Sequence, residues 1–182
     1  MVGEAKMEMN RSRAFFSRRG AGGRFAGFTL IELMFTVVIL AVLLSLGAPM
    51  LRNLVLDQRI KTVASDIHGS LIYARSEALK RNADISVVAA GAGWVAGWEV
   101  RLGATVLKRQ DALSDMTITA TDQNGNTVTT LTYRGDGRLG STATFLIRTS
   151  ETAVTARCVR LDVSGRPNVQ IDTNKNPDDG CN

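Results

Sequence analysis

From Phe28 to Leu51 the chain is apolar, broken by a single charge at Glu32. As a helix these 24 residues would extend about 36 Å, enough to cross a bilayer core of about 30 Å. Pro49, near the end of the run, permits a kinked continuation. Past it, Leu56, Ile60, Val63, Ile67, Leu71, Ala74 and Ala78 recur at spacings of three and four, which puts one apolar stripe on a helix. Asp57 with Lys61 and Glu77 with Arg81 are acid-first pairs four residues apart, which support that helix. Lys80 and Arg81 suit its negative end, and Asn82 suits a left-handed cap. The pattern predicts a helix over about 28–81, with its first half in lipid and its second half lying on a globular domain.

From Asp84 onward short apolar stretches alternate with turn signals, and no helical period appears. Strands are predicted near 85–89, 97–102, 105–109, 116–121, 127–134, 143–149, 156–163 and 168–171. Asn124-Gly125 marks a hairpin, and Gly135-Asp136-Gly137 and Ser164-Gly165 mark turns. The fold class is α+β: a long N-terminal helix packed on an antiparallel, β-rich, sandwich-like domain. The chain divides into a basic leader (1–27), a transmembrane segment (28–51), an amphipathic continuation of the helix (52–82) and a β-rich domain (83–182).

Charge sharpens that division. The net charge is +5, and the leader carries +4 of it, with six basic side chains against Glu4 and Glu8. The high pI therefore belongs to the leader and is no nucleic-acid footprint of the domain. A basic leader before an apolar run fits the positive-inside rule, with the N-terminus on the cytoplasmic side. Ser45-Leu46-Gly47-Ala48 offers small residues for ordinary signal cleavage, but that reading leaves Glu32 without a role. A carboxylate in lipid costs about 2.5–3.5 kcal/mol and usually marks function.

Two cysteines are present, Cys158 and Cys181. In an exported chain such a pair points to a disulfide. Val159, Leu161 and Val163 are expected to face the core, and Cys158 to face outward beside Arg160, within reach of Cys181. Closing that loop would stabilise the fold by about 3 kcal/mol in the chain-entropy model. His68 reads as a packed or solvated helix residue, and Trp94 and Trp98 as strand residues filling the core against the helix. Asp172-x-Asn174-x-Asn176 imitates the start of a calcium loop, but Pro177 stands where that loop needs glycine. Asp122-x-Asn124-x-Asn126 reads as a polar turn. With no triad, carboxylate pair or phosphate loop, neither enzymatic activity nor a cofactor nor a metal is expected.

Gly27-Phe28-Thr29-Leu30-Ile31-Glu32 resembles the prepilin peptidase motif of type IV filament subunits. Gly93-Trp94, Gly97-Trp98-Glu99-Val100 and Val163-Ser164-Gly165-Arg166 resemble the GspH/FimT-type minor pilins and pseudopilins. The resemblance implies a pilin fold, cleavage after Gly27 by prepilin peptidase and N-methylation of Phe28. It also implies that Glu32 pairs with the terminal amine of a neighbouring pilin subunit. The implied role is that of a minor subunit of a type IV pilus acting in assembly or at the tip, with a type II secretion pseudopilin as the alternative. DNA uptake is a second alternative, because some FimT-like proteins bind DNA through Gly-Arg-x-Arg. Here Gly165-Arg166-Pro167-Asn168 lacks the second arginine, and the chain from Gly165 onward carries −1. Arg157, Arg160 and Arg166 are the candidate DNA contacts, with Arg134, Arg138 and Arg148 as further cations.

Overall fold

The computed structural model describes residues 27–173. Helix α1 runs Leu30–Arg81. Its stripe is buried as the spacing requires: Ile60, Leu71, Ala74 and Ala78 are wholly inaccessible, and Leu56, Val63 and Ile67 nearly so. Lys61 reaches Asp57 at 2.6 Å, and Arg81 reaches Glu77 at 2.6 Å. The helix ends as Asn82 turns left-handed (φ 48°) and Ala83 N–H donates to the Ala78 carbonyl. That six-to-one bond satisfies a carbonyl the helix would otherwise leave open.

Eight strands follow: β1 Ile85–Ala89, β2 Trp98–Leu102, β3 Thr105–Gln110, β4 Thr117–Thr121, β5 Thr130–Tyr133, β6 Ala143–Arg148, β7 Arg157–Leu161 and β8 Pro167–Ile171. They form two antiparallel four-stranded sheets, ordered β3-β2-β1-β5 and β4-β6-β7-β8. Both sheets and the stripe of α1 contribute to one core, which includes Val87, Trp98, Val100, Phe145, Ile147 and Val159. The chain divides into two units, Met1–Ala41 and Val42–Asn182; the second contains both sheets and the buried stripe.

Three elements differ from the sequence expectations. Trp94 lies in a short 3-10 turn, Trp94–Ala96, rather than in a strand. The predicted strand 127–134 shrinks to β5, because Thr127 makes only an isolated bridge to Thr121. Asp122 closes the hairpin between them, accepting from the Asn124 and Asn126 backbone N–H groups at 2.8 and 2.9 Å, which makes this run a polar turn. Val163 is 44% exposed, not core-facing, because β7 ends at Leu161 and a turn begins at Asp162.

Gly165 locks that turn against the rest of the domain. Its φ is +74°, and an added Cβ would overlap the Gly137 carbonyl oxygen and lie 2.9 Å from Tyr133 Cε1. Gly165→Ala should therefore destabilise by about 1–3 kcal/mol, lowering Tm by several degrees. Gly125→Ala is the contrast: φ is +80°, but a Cβ there meets nothing. Its cost should stay near the left-handed penalty alone, about 1 kcal/mol. Thermal denaturation of the two variants tests the difference.

Candidate processing and assembly site

Gly27 and Phe28 precede the helix, and both are exposed. A side chain at Gly27 would meet nothing within 4 Å in the chain itself. Any demand for glycine there comes from outside the fold, as a close approach to a processing enzyme would make it. Thr29 caps α1: its hydroxyl accepts from Glu32 N–H at 3.2 Å, and its carbonyl accepts from Leu33 N–H at 3.1 Å. Glu32 thus stands in the first turn, at the positive end of the helix dipole, which favours a carboxylate by about 0.3–1 kcal/mol. No described residue forms an ion pair with it. Thr29 is the functional residue that the motif reading passed over, although its signal, a threonine three residues before a glutamate, is that of a capping box.

The tryptophan segment does structural work. Trp94 donates to the Val128 carbonyl at 2.7 Å and meets Phe145 edge-on, with ring centroids 4.7 Å apart. Trp98, 2% exposed, donates to Ser70 Oγ at 3.0 Å and so ties β2 to α1. Glycine is required at position 97 because φ is +99° and a Cβ would collide with the Gln110 carbonyl. Glu99 is buried and accepts from Arg101 Nε at 2.6 Å and Arg109 Nε at 2.7 Å.

The hydrogen bond from Arg101 holds the Glu99 carboxyl below the ordinary glutamate range, with Arg109 acting in the same direction. Glu77 is lowered too, chiefly by its hydrogen bond from Arg81. A lowered folded pKa stabilises above the unfolded value, about 4.3, and that stability is lost as pH falls through the folded value. Tm should therefore hold from pH 7 to about 5 and fall below about 4. In a pH series of melting curves, Glu99→Gln should show a shallower acid limb.

The candidate DNA contacts do not form one patch. Arg160 and Arg166 border a shallow groove together with Asp162, Asn168 and Gln170. Arg157 is two positions before Val159 and shares its face of β7, with Nη2 3.8 Å from Asp57 on α1. Strand alternation separates Arg157 from Arg160. Cys158 lies on the face opposite Val159, as expected, but it is fully buried and not open. Cys181 lies outside the described residues, as do Asn174 and Asn176. His68 is half-buried, and no group of three His, Cys, Asp or Glu gathers among the described residues.

Comparison with known families decides what this arrangement belongs to. The family model described as type II transport protein GspH matches residues 63–165, more than half of the chain. The chain belongs to the GspH family. A second model, the prokaryotic N-terminal methylation motif, matches residues 23–48. No curated protein matches. Among solved structures, the chain is similar to the type IV minor pilin FimU of Pseudomonas aeruginosa in two crystal forms. In one, 65% of this chain covers 92% of that one at 25% identity and a TM-score of 0.53. In the other the shares are 64% and 94%, at 25% identity and a TM-score of 0.50.

This GspH-family chain is a minor pilin or pseudopilin, with the α+β pilin fold of a structural subunit and not of an enzyme family. Its methylation motif implies processing by prepilin peptidase and assembly with other pilins. Within α1 an 18-residue window reaches a mean hydropathy of 2.5 and is entirely unburied, as a membrane-anchored subunit requires.

Proposed function

We propose that the chain is cut after Gly27, methylated at Phe28 and built into a type IV pilus as a minor subunit acting in assembly at or near the tip. The observation that carries the choice of pilus is the likeness to FimU, a type IV minor pilin, across 92% of that chain. The chain sits in the inner membrane with its N-terminus cytoplasmic and its β-domain periplasmic, as the leader charge favours. Segment 28–51 spans the lipid, and 52–82 carries the domain. Glu32 pairs with the terminal amine of a neighbouring subunit. That pairing offsets most of the cost of a carboxylate in lipid and so favours docking.

Deleting the gene separates the two filament systems. Loss of surface pili with unchanged secretion of type II substrates is the expected result; loss of secretion with intact pili would assign the chain to the secretion system.

Cys158 and Cys181 form the intramolecular disulfide that holds the C-terminal tail. The complete burial of Cys158 on the outer face of β7 and the presence of just one other cysteine support this pairing. Thiol-specific labelling of denatured periplasmic protein should find no free thiol until a reductant is added. Replacing both cysteines should cost about 2–4 kcal/mol of stability.

A further inference from the structure

The outer face of the second sheet carries a covered cysteine between two arginines. Phe145, Ile147 and Val159 belong to the core, so strand alternation turns Arg148, Cys158 and Arg160 to the other face. Leu146 on β6 and Gln170 on β8 stand opposite Cys158. Arg160 is two positions along β7, about 7 Å away, and Arg148 lies two positions past Leu146, on the other side of Cys158. The stripe of α1 packs on the core face, yet Cys158 is fully buried and Gln170 half-buried. Neither arginine is without a partner. Among the described residues, however, no ion pair joins an acid to either one. Asp172 shares their face, but its carboxylate has no hydrogen-bond partner and answers neither.

The sequence supplies the complement. Past Thr173, outside the described residues, Asp179 and Asp178 stand two and three positions before Cys181. Eight peptide steps separate Thr173 from Cys181, a reach of about 26 Å. Cys158 is about 10 Å back along the sheet, so a bridge between the cysteines is within reach. It would hold both carboxylates within about 7–10 Å of Cys158, where the two arginines stand.

We propose that residues 174–182 of this chain are the occupant of that face: an acidic clasp in which Asp178 and Asp179 pair with Arg148 and Arg160 and close the face to anionic ligands. The proposal rests on the Cys158–Cys181 pairing above. A carboxylate tethered beside a guanidinium loses less entropy on pairing than two free side chains do, so these pairs gain more than ordinary surface ion pairs.

The test uses the full chain in detergent. Asp178→Asn with Asp179→Asn should lower Tm by about 2–4 °C at low salt and by much less at about 0.5 M salt, where the pairs are screened. Arg148→Gln with Arg160→Gln should do the same, and all four changes together should cost no more than either pair. Trypsin should cut after Lys175 about tenfold faster in the Asn variant than in wild type. Inorganic polyphosphate should bind the Asn variant about tenfold more tightly than wild type at low salt, and the four-residue variant should lose that gain. Asp66→Asn with Asp111→Asn removes the same charge elsewhere and should gain nothing. Additive losses of Tm, equal polyphosphate binding by wild type and the Asn variant, or an equal gain in the Asp66 and Asp111 variant overturns the clasp. So does a wild-type dimer in sedimentation that the Asn variant lacks, which would make the occupant the tail of a second copy. Free thiols at Cys158 and Cys181 in periplasmic protein would instead sink the disulfide reading, and the four-residue comparison of Tm would then decide the clasp alone.

Discussion

Glu32→Ala should leave the subunit folded, inserted and cleaved, yet cut its incorporation into filaments by about ten- to a hundredfold. The core that folds the domain begins at Leu56, far along α1 from position 32, so stability should not change. What changes is the balance of assembly. On the proposed reading, the Glu32 carboxylate of the free subunit would meet lipid at a cost of about 2.5–3.5 kcal/mol, eased a little by the helix dipole. The proposed pairing with a neighbour's amine would remove most of that cost, and each 1.4 kcal/mol is a factor of ten in the docking equilibrium. Glu32→Gln should behave like alanine if charge matters and like wild type if only shape does. Glu32→Asp keeps the charge on a shorter arm and should retain part of the incorporation. Sheared filaments, immunoblotted against total membrane protein, give the ratio. Wild-type incorporation of Glu32→Ala would remove the docking role.

Gly27→Leu should block processing by about a hundredfold or more while leaving the fold intact. The fold gives the side chain open space at this position, so any loss must arise in the processing enzyme, where a small misplacement of the reacting bond costs about two orders of magnitude. The uncut precursor would keep 27 extra residues with six basic side chains, on the cytoplasmic side in the proposed topology. Each of those cations would cost about 2.5–3.5 kcal/mol to draw into lipid, so the precursor should remain in the membrane and out of filaments. A pulse-chase gel resolves the two forms. Normal maturation of Gly27→Leu would show that the cut lies elsewhere.

Much of this was legible because two periodicities differ so clearly. The three-and-four spacing from Leu56 to Ala78 marks the buried face of α1 residue by residue, and all eight predicted strands are present. What escaped is tertiary. Trp94 reads as a strand residue beside glycines, but it opens a 3-10 turn, from which its indole N–H reaches the Val128 carbonyl in another part of the chain. Cys158 is on the expected face of β7, but alternation says which face a residue takes and not what covers it. Asp172 reads as the first position of an imitation calcium loop, and only the folded chain buries its carboxylate without a hydrogen-bond partner. The separation of Arg157 from Arg160 was readable from parity along one strand and dissolves the three-arginine patch. Thr29 was readable too; its capping role is local, set by Glu32 three residues on.

Mass spectrometry of the subunit's N-terminal peptide, taken from sheared filaments, tests the central claim most directly. The account predicts a peptide that begins at Phe28 and carries one added methyl group on its terminal nitrogen. A peptide beginning at Met1, or one produced by cleavage after Ala48, would contradict it.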